Sequence, residues 1–119
     1  RLQLIAEDMQ TIITKWKPQE ASIEKLFFKK NVKTAIAVAQ ARGVIIQKLI
    51  ESGIEPQEYT PPQIKSAVCG YGNADKPMVQ QMVKIILGLS TIPKPDDAAD
   101  AIAAAICLAN SLALKQRMQ

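Results

Sequence analysis

Three aspartates crowd into the stretch "KPDDAADAIAAAIC", residues 94–107, immediately before an alanine-rich apolar run. Asp97 and Asp100 are three residues apart, so their side chains share one face if this stretch is helical. In the first turn of a helix, the positive dipole end and the free N–H groups lower the cost of close negative charges. Such a pair suits Mg²⁺, which binds a few carboxylates together with water and phosphate oxygens.

The simpler interpretation of this stretch is a capped helix start with acids in its first turn. Asp96 follows Pro95 and is expected to be the N-cap residue of the helix. On the pattern alone this interpretation is favoured, so a metal site at these aspartates requires support from another part of the chain.

A third acid supplies part of that support. Glu24 lies within "ASIEKLFF" (21–28), whose alternation predicts a short strand. An acid amid apolar strand residues is costly unless it is paired or bound to a metal. The alternatives are a solvent-facing position on an edge strand, or a salt bridge to Lys25 or Lys33.

The composition excludes several kinds of chemistry. A chain of 119 residues favours one domain, and a hydrophobic fraction of 48% excludes disorder. The net charge of +4 is compatible with nucleic-acid binding without establishing it. With no histidine in the chain, a Ser-His-Asp or Cys-His apparatus is excluded and a Cys/His zinc site lacks ligands. Cys69 and Cys107 indicate reduced core residues of a cytosolic protein, and no signal peptide or membrane span is visible.

The periodicity predicts a helix-rich α/β chain with two short strands. Residues 35–46 are apolar on nearly every face, which predicts burial against the core and against a second subunit. The predicted order is a helix (1–17), a strand (21–28), a helix (32–53), an extended segment (54–62), a short helix opened by two prolines, a glycine-bearing loop (69–77), a helix (78–89) and a last helix from about residue 97.

Three long segments carry a resemblance to a known family. They are "IEKLFFKKNVKTAIAVAQARGV", "EYTPPQIKSAVCGYGNADK" and "PDDAADAIAAAIC", and they occur in this order. The chain resembles the RuvC family of Holliday-junction resolvases, nucleases of the ribonuclease-H-like fold, over essentially all of its 119 residues. The resemblance therefore implies a mixed sheet flanked by helices.

The resemblance also implies a metal-dependent active site. Members of the family hold two Mg²⁺ ions on four acids, and Mn²⁺ is a possible substitute. Glu24 matches the acid on the family's fourth strand, and Asp97 and Asp100 match the pair on its last helix. The fourth acid belongs to an "IDPG"-like motif on the first strand, which this sequence lacks together with the first three strands. Residues 1–119 are therefore expected to be a single nuclease domain that is incomplete at its N-terminus.

The remaining matches concern DNA. Phe27 matches the aromatic that is inserted near the junction centre, and a core phenylalanine is the alternative. Other matches are expected to contact the backbone, the alternatives being ordinary solvated lysines and glycines that serve only a turn. They are the active-site lysines Lys65 and Lys76, the loop residues Lys29, Lys30, Asn31 and Lys33, and the glycines Gly70 and Gly72.

The family's partners complete the expectation. "AQARGV" matches its dimer helix, so a homodimer through the 32–53 helix is expected, with Gln40, Arg42 and Gly43 as packing residues. Four-way junction DNA is the implied substrate, the RuvA–RuvB complex an implied partner, and the cytoplasm, away from membranes, the implied location. The absence of the first acid favours an alternative, a relative that binds junctions without cutting. A third reading is a structural dimer with no role on DNA.

Overall fold

The structure, a computed structural model, describes residues 1–25 and 32–118. The predicted helices and strands form, with shifted bounds. They are α1 (Leu2–Trp16), β1 (Ser22–Glu24), α2 (Val32–Glu51), β2 (Gln57–Tyr59), α3 (Pro61–Cys69), α4 (Lys76–Leu87) and α5 (Asp96–Arg117).

Two helix starts differ from the sequence prediction. The N-cap of α5 is Pro95, whose φ of −67° and ψ of 176° place it outside the helix, and its carbonyl accepts the Ala98 amide at 2.9 Å. The prediction of Asp96 as the N-cap is therefore wrong. Helix α4 begins at Lys76 and not at residue 78, because the Asp75 carboxylate accepts the Met78 amide at 3.0 Å and caps the helix earlier.

One compact unit comprises Arg1–Ala21 and Leu26–Gln57. Within it α1 packs against α2. Leu49 is the buried residue of α2, whereas Ile36 is 55% exposed and Val38 is 38% exposed. The all-round apolar character of this helix is thus not explained by burial within its own chain.

The second unit comprises Ser22–Lys25 and Glu58–Gln119. Its central element is α5, which packs against α3, α4 and β1. Ala99 and Ala103 of α5 are 0% and 1% exposed, so small side chains face its neighbours and let the backbones approach closely. The core cluster is Ile64, Val68, Ala74, Val79, Val83, Ala103, Ala104 and Cys107.

The two strands form a small parallel sheet. The Gln57 amide donates to the Ala21 carbonyl at 2.9 Å, and the Lys25 amide donates to the Tyr59 carbonyl at 2.7 Å. Parallel pairing places the carboxyl ends of both strands at the same edge of the sheet.

The cysteines and α5 have the character of core elements. Both cysteines are unpaired, burial raises the pKa of the Cys107 thiol, and burial together with the Asp75 charge raises the pKa of the Cys69 thiol.

Helix α5 is long and apolar enough to cross a membrane, with a mean hydropathy of 1.4. The core helix of a soluble protein meets the same test, and α5 buries five residues.

Because α5 packs closely on its neighbours, a larger side chain should destabilise the protein at a buried position of this helix but not at an exposed one. Replacing Ala104 by Leu should destabilise the protein by about 1–3 kcal/mol, because Ala104 belongs to the buried core cluster, which leaves no space for a larger side chain. The matched change Ala105→Leu, at an exposed position of the same helix, should alter the free energy of unfolding by less than about 0.5 kcal/mol. Urea denaturation checks both, and equal effects would contradict the packing described.

Candidate active site

A cleft of about 230 Å³ opens in the second unit. Its walls come from β1 and from the N-terminal halves of α3, α4 and α5. The lining residues are Glu24, Pro61, Ile64, Lys65, Lys76, Val79, Asp100 and Ala103. An apolar floor thus carries two carboxylates and two ammonium groups.

The cleft lies at the carboxyl edge of the parallel sheet. Glu24 is the last residue of β1, and Pro61 follows two positions after Tyr59, the last residue of β2. Open α/β sheets bind ligands at this edge, where loops and helix starts meet. The topology thereby brings Glu24, from early in the chain, beside the start of α5.

Three helices begin at this cleft. Thr60 caps α3 through a capping box, accepting the Gln63 amide while the Gln63 side chain accepts the Thr60 amide. Asp75 caps α4, and Pro95 precedes α5. The positive dipole ends of these helices favour carboxylates and phosphate oxygens in the space between them.

Two of the three predicted metal-binding acids line the cleft together. Glu24 and Asp100 both contribute to its walls. Glu24 is exposed at the end of β1 and not enclosed among apolar strand residues, and across residues 1–25 and 32–118 it forms no ion pair with Lys25 or Lys33. Asp97 lies in the first turn of α5 but does not line the cleft.

No three His, Cys, Asp or Glu side chains within the described ranges are close enough together to hold a metal ion. The donor set that the structure does gather, two carboxylates from different elements, has the hard oxygen chemistry that Mg²⁺ and Mn²⁺ prefer. Metal binding by Glu24, Asp97 and Asp100 therefore stays a prediction whose donor chemistry fits.

Lys76 is held between two aspartates at the rim of the cleft. Its Nζ lies 3.6 Å from Asp96 Oδ2 and 3.9 Å from Asp100 Oδ2. The Gln80 side-chain amide donates to Asp96 Oδ1 at 3.3 Å. Gln80 was not among the predicted site residues, although a helix beginning at Lys76 would have placed both side chains on one face, at i and i+4.

Lys65 reaches the same cleft from α3. It follows the buried Ile64, which anchors this turn of the helix in the core. Lys65 is half-buried and forms no ion pair with any residue that the structure describes. Its ammonium group is therefore available to an anion that enters the cleft.

The other predicted DNA contacts are distributed elsewhere. Lys33 is exposed near the start of α2, in the first unit. Gly70 terminates α3 with a φ of 90°, a left-handed conformation that explains its residue type by the turn alone. A Cβ at Gly72 would meet Pro62 at 3.4 Å. Phe27, Lys29, Lys30 and Asn31 lie outside the described residues.

A hydrogen bond ties the strand of Glu24 to the helix of Asp100. The Ser22 hydroxyl donates to the Ala104 carbonyl of α5 at 2.8 Å. Ala103 and Ala104 are both buried, so α5 approaches β1 closely enough for this bond to form. Ser22 lies two residues before Glu24, and Ala104 lies one turn after Asp100.

Comparison with known proteins identifies close relatives. The family described as Crossover junction endodeoxyribonuclease RuvC matches residues 1–108. A protein of that name from Heliobacterium modesticaldum is 53% identical over 112 residues, which cover 94% of this chain and 69% of that protein. The one from Halothermothrix orenii is 54% identical over 117 residues, which cover 98% and 71%.

Solved structures of the same family are also similar to this chain. Thermus thermophilus RuvC has a TM-score of 0.88 at 31% identity, over 96% of this chain and 69% of that one. The same protein in complex with Holliday junction substrate has a TM-score of 0.84 at 32% identity, over 89% of this chain and 64% of that one. The predicted resemblance and the ribonuclease-H-like fold are confirmed.

Removing the hydrogen bond between β1 and α5 should measurably lower the stability of the protein. Ser22→Ala should lower the free energy of unfolding by about 1 kcal/mol, because the carbonyl of the buried Ala104 loses its partner away from bulk water. Ser52→Ala is the matched control, since the Ser52 hydroxyl donates to the Lys48 carbonyl at 2.9 Å on an exposed helix end. Water replaces that bond, so little change is expected in urea denaturation. Equal losses for the two variants would contradict the role of Ser22.

Proposed function

The chain belongs to the RuvC family of crossover junction endodeoxyribonucleases, and from this we propose that it hydrolyses DNA phosphodiesters at four-way junctions with divalent cations. The observation that carries the proposal is the cleft at the sheet edge, where Glu24 and Asp100 meet Lys65 and Lys76. Carboxylates for a cation and ammonium groups for a phosphate are the two kinds of side chain that this chemistry requires.

The cation-binding residues of the proposal are Glu24, Asp97 and Asp100. Two Mg²⁺ ions, with Mn²⁺ as a substitute, are the proposed cofactors, which would activate the attacking water and stabilise the leaving oxygen. Asp97 adds a further carboxylate one turn before Asp100 on α5. The protein's own contribution is to hold these oxygens at the strand ends, which the packing of α5 against β1 supports.

DNA binding in the proposal uses the lysines beside these acids. Lys65 and Lys76 bind phosphate, and the three helix starts around the cleft favour the same anion. The family resemblance adds Phe27 as the wedge that disturbs base stacking. It also adds backbone contacts by Lys29, Lys30, Asn31, Lys33, Gly70 and Gly72.

The proposed assembly is a homodimer through the 32–53 helix. Exposed apolar side chains on α2, Ile36 and Val38 among them, support a second copy as the occupant of this face. A two-fold dimer would present two clefts to the two symmetric strands of a junction and nick both. One nuclease domain formed by residues 1–119, a cytoplasmic location and cooperation with RuvA and RuvB belong to the same proposal.

A junction-binding protein that does not cut is the second candidate. The observation that favours it is that the described residues gather two acids in the cleft and no group of three. A protein with no DNA role is the third. Tight binding of a synthetic four-way junction without Mg²⁺-dependent nicks would support the second, and absence of binding at any salt concentration would support the third.

The decisive experiment substitutes a cleft carboxylate. Asp100→Asn should lower the Mg²⁺-dependent cleavage rate of a synthetic four-way junction by about 1,000-fold, since the cations supply several kcal/mol of transition-state stabilisation. Junction binding should persist. Asp8→Asn, an exposed change on α1, is the matched control and should cleave normally. Cleavage at the normal rate by Asp100→Asn or Asp97→Asn would show that the site is assigned incorrectly.

Salt dependence tests the phosphate contact of Lys65. Lys65→Gln should reduce the slope of log K against log salt concentration by about 1, because one fewer counterion is released when DNA binds. Lys115→Gln is the matched control, because it removes one positive charge in the last turn of α5, away from the cleft. Its slope should equal that of the unmodified protein, and an unchanged slope for Lys65→Gln would exclude the contact.

A further inference from the structure

Asp96 makes contacts that a helix-capping residue would not make. The N-cap position of α5 belongs to Pro95, whose side chain makes no capping hydrogen bond. Both Asp96 oxygens face α4 instead. Oδ1 accepts the Gln80 amide at 3.3 Å, and Oδ2 lies 3.6 Å from Lys76 Nζ.

The two partners of Asp96, Lys76 and Gln80, lie on the same face of α4. Lys76 and Gln80 are four residues apart on α4, so their side chains project from the same face. Gln80 is half-buried and fixes one oxygen of Asp96, which leaves the other oriented toward the ammonium group. Asp96 thereby links the start of α5 to the start of α4 beside the cleft.

Lys76 has a second carboxylate within reach, and this one lines the cleft. Asp100 Oδ2 is 3.9 Å from Lys76 Nζ. A divalent cation on Asp100 would repel the ammonium group, so cation and Lys76 compete for the same carboxylate. Asp96 does not line the cleft, so it can retain Lys76 when Asp100 is occupied.

We propose that Asp96 is a positioning residue, which draws the Lys76 ammonium from Asp100 and retains it at the cleft rim, ready for a phosphate. The inference deepens the proposed function and rests on it. Lys65, which lines the same cleft and forms no ion pair with the described residues, has no such tether. The two lysines thus differ in restraint, with Lys76 held and Lys65 unrestrained.

The alternative is an incidental surface ion pair. The side chains of Lys76 and Asp96 are 52% and 66% exposed, and pairs this exposed contribute little to stability. The urea midpoint of Asp96→Asn should therefore equal that of the unmodified protein, which also shows that the variant folds. The distinguishing measurement is cation affinity, which an incidental pair would not couple to Lys76.

The experiment is a double-mutant cycle on Mn²⁺ affinity, measured by titration calorimetry without DNA. Asp96→Asn should raise the Kd for Mn²⁺ about two- to fivefold, because Lys76 then turns to Asp100 and competes with the cation. Lys76→Met should lower the Kd, since the competing charge is gone. In the Lys76→Met background, Asp96→Asn should have a clearly smaller effect, which isolates the coupling from long-range charge.

Controls separate this inference from the proposed function. Asp96→Glu keeps the charge and should restore much of the affinity, whereas Asp8→Asn should change nothing. If Asp100→Asn weakens Mn²⁺ binding but Asp96→Asn acts equally in both Lys76 backgrounds, the positioning role is overturned and the cation site stands. If Asp100→Asn leaves Mn²⁺ binding unchanged, the cation site itself is wrong and the positioning role falls with it.

Discussion

The close packing of α5 on its neighbours is the constraint on which the rest of the second unit depends. Ala99, Ala103 and Ala104 are buried, and their small side chains let β1, α3 and α4 approach the helix. The Ser22 hydroxyl then reaches the Ala104 carbonyl at 2.8 Å. The contact joins the two elements that carry the cleft carboxylates, because Glu24 lies on β1 and Asp100 on α5.

The same packing explains why one cleft holds both signs of charge. Three helices begin where two parallel strands end, so carboxylates, ammonium groups and helix dipoles meet at one edge. Like charges come from different elements, with Glu24 on β1 and Asp100 on α5, and Lys76 lies within 4 Å of Asp100. The arrangement reduces repulsion between the acids while leaving their oxygens accessible to a cation.

Local sequence was a good guide to the elements and a poorer one to their ends. Apolar periodicity and proline positions located the helices, but α4 begins earlier than predicted because Asp75 caps it, and α5 begins at Asp96 because Pro95 takes the N-cap position. Glu24 was expected amid apolar strand residues and is instead exposed at the end of β1. These boundaries depend on side-chain hydrogen bonds and strand pairing, which periodicity alone does not specify.

The sequence by itself determined the residue types, the order of helices and strands, the absence of histidine and the family resemblance, because these depend on composition and on neighbours along the chain. Tertiary structure decided that Glu24 and Asp100 share a cleft, that Asp97 lies outside its lining, and that Asp96 contacts Lys76 and Gln80. The physical reason is that backbone hydrogen bonding in a helix is local. The meeting of β1, α4 and α5 depends on the long-range burial of one alanine-lined face.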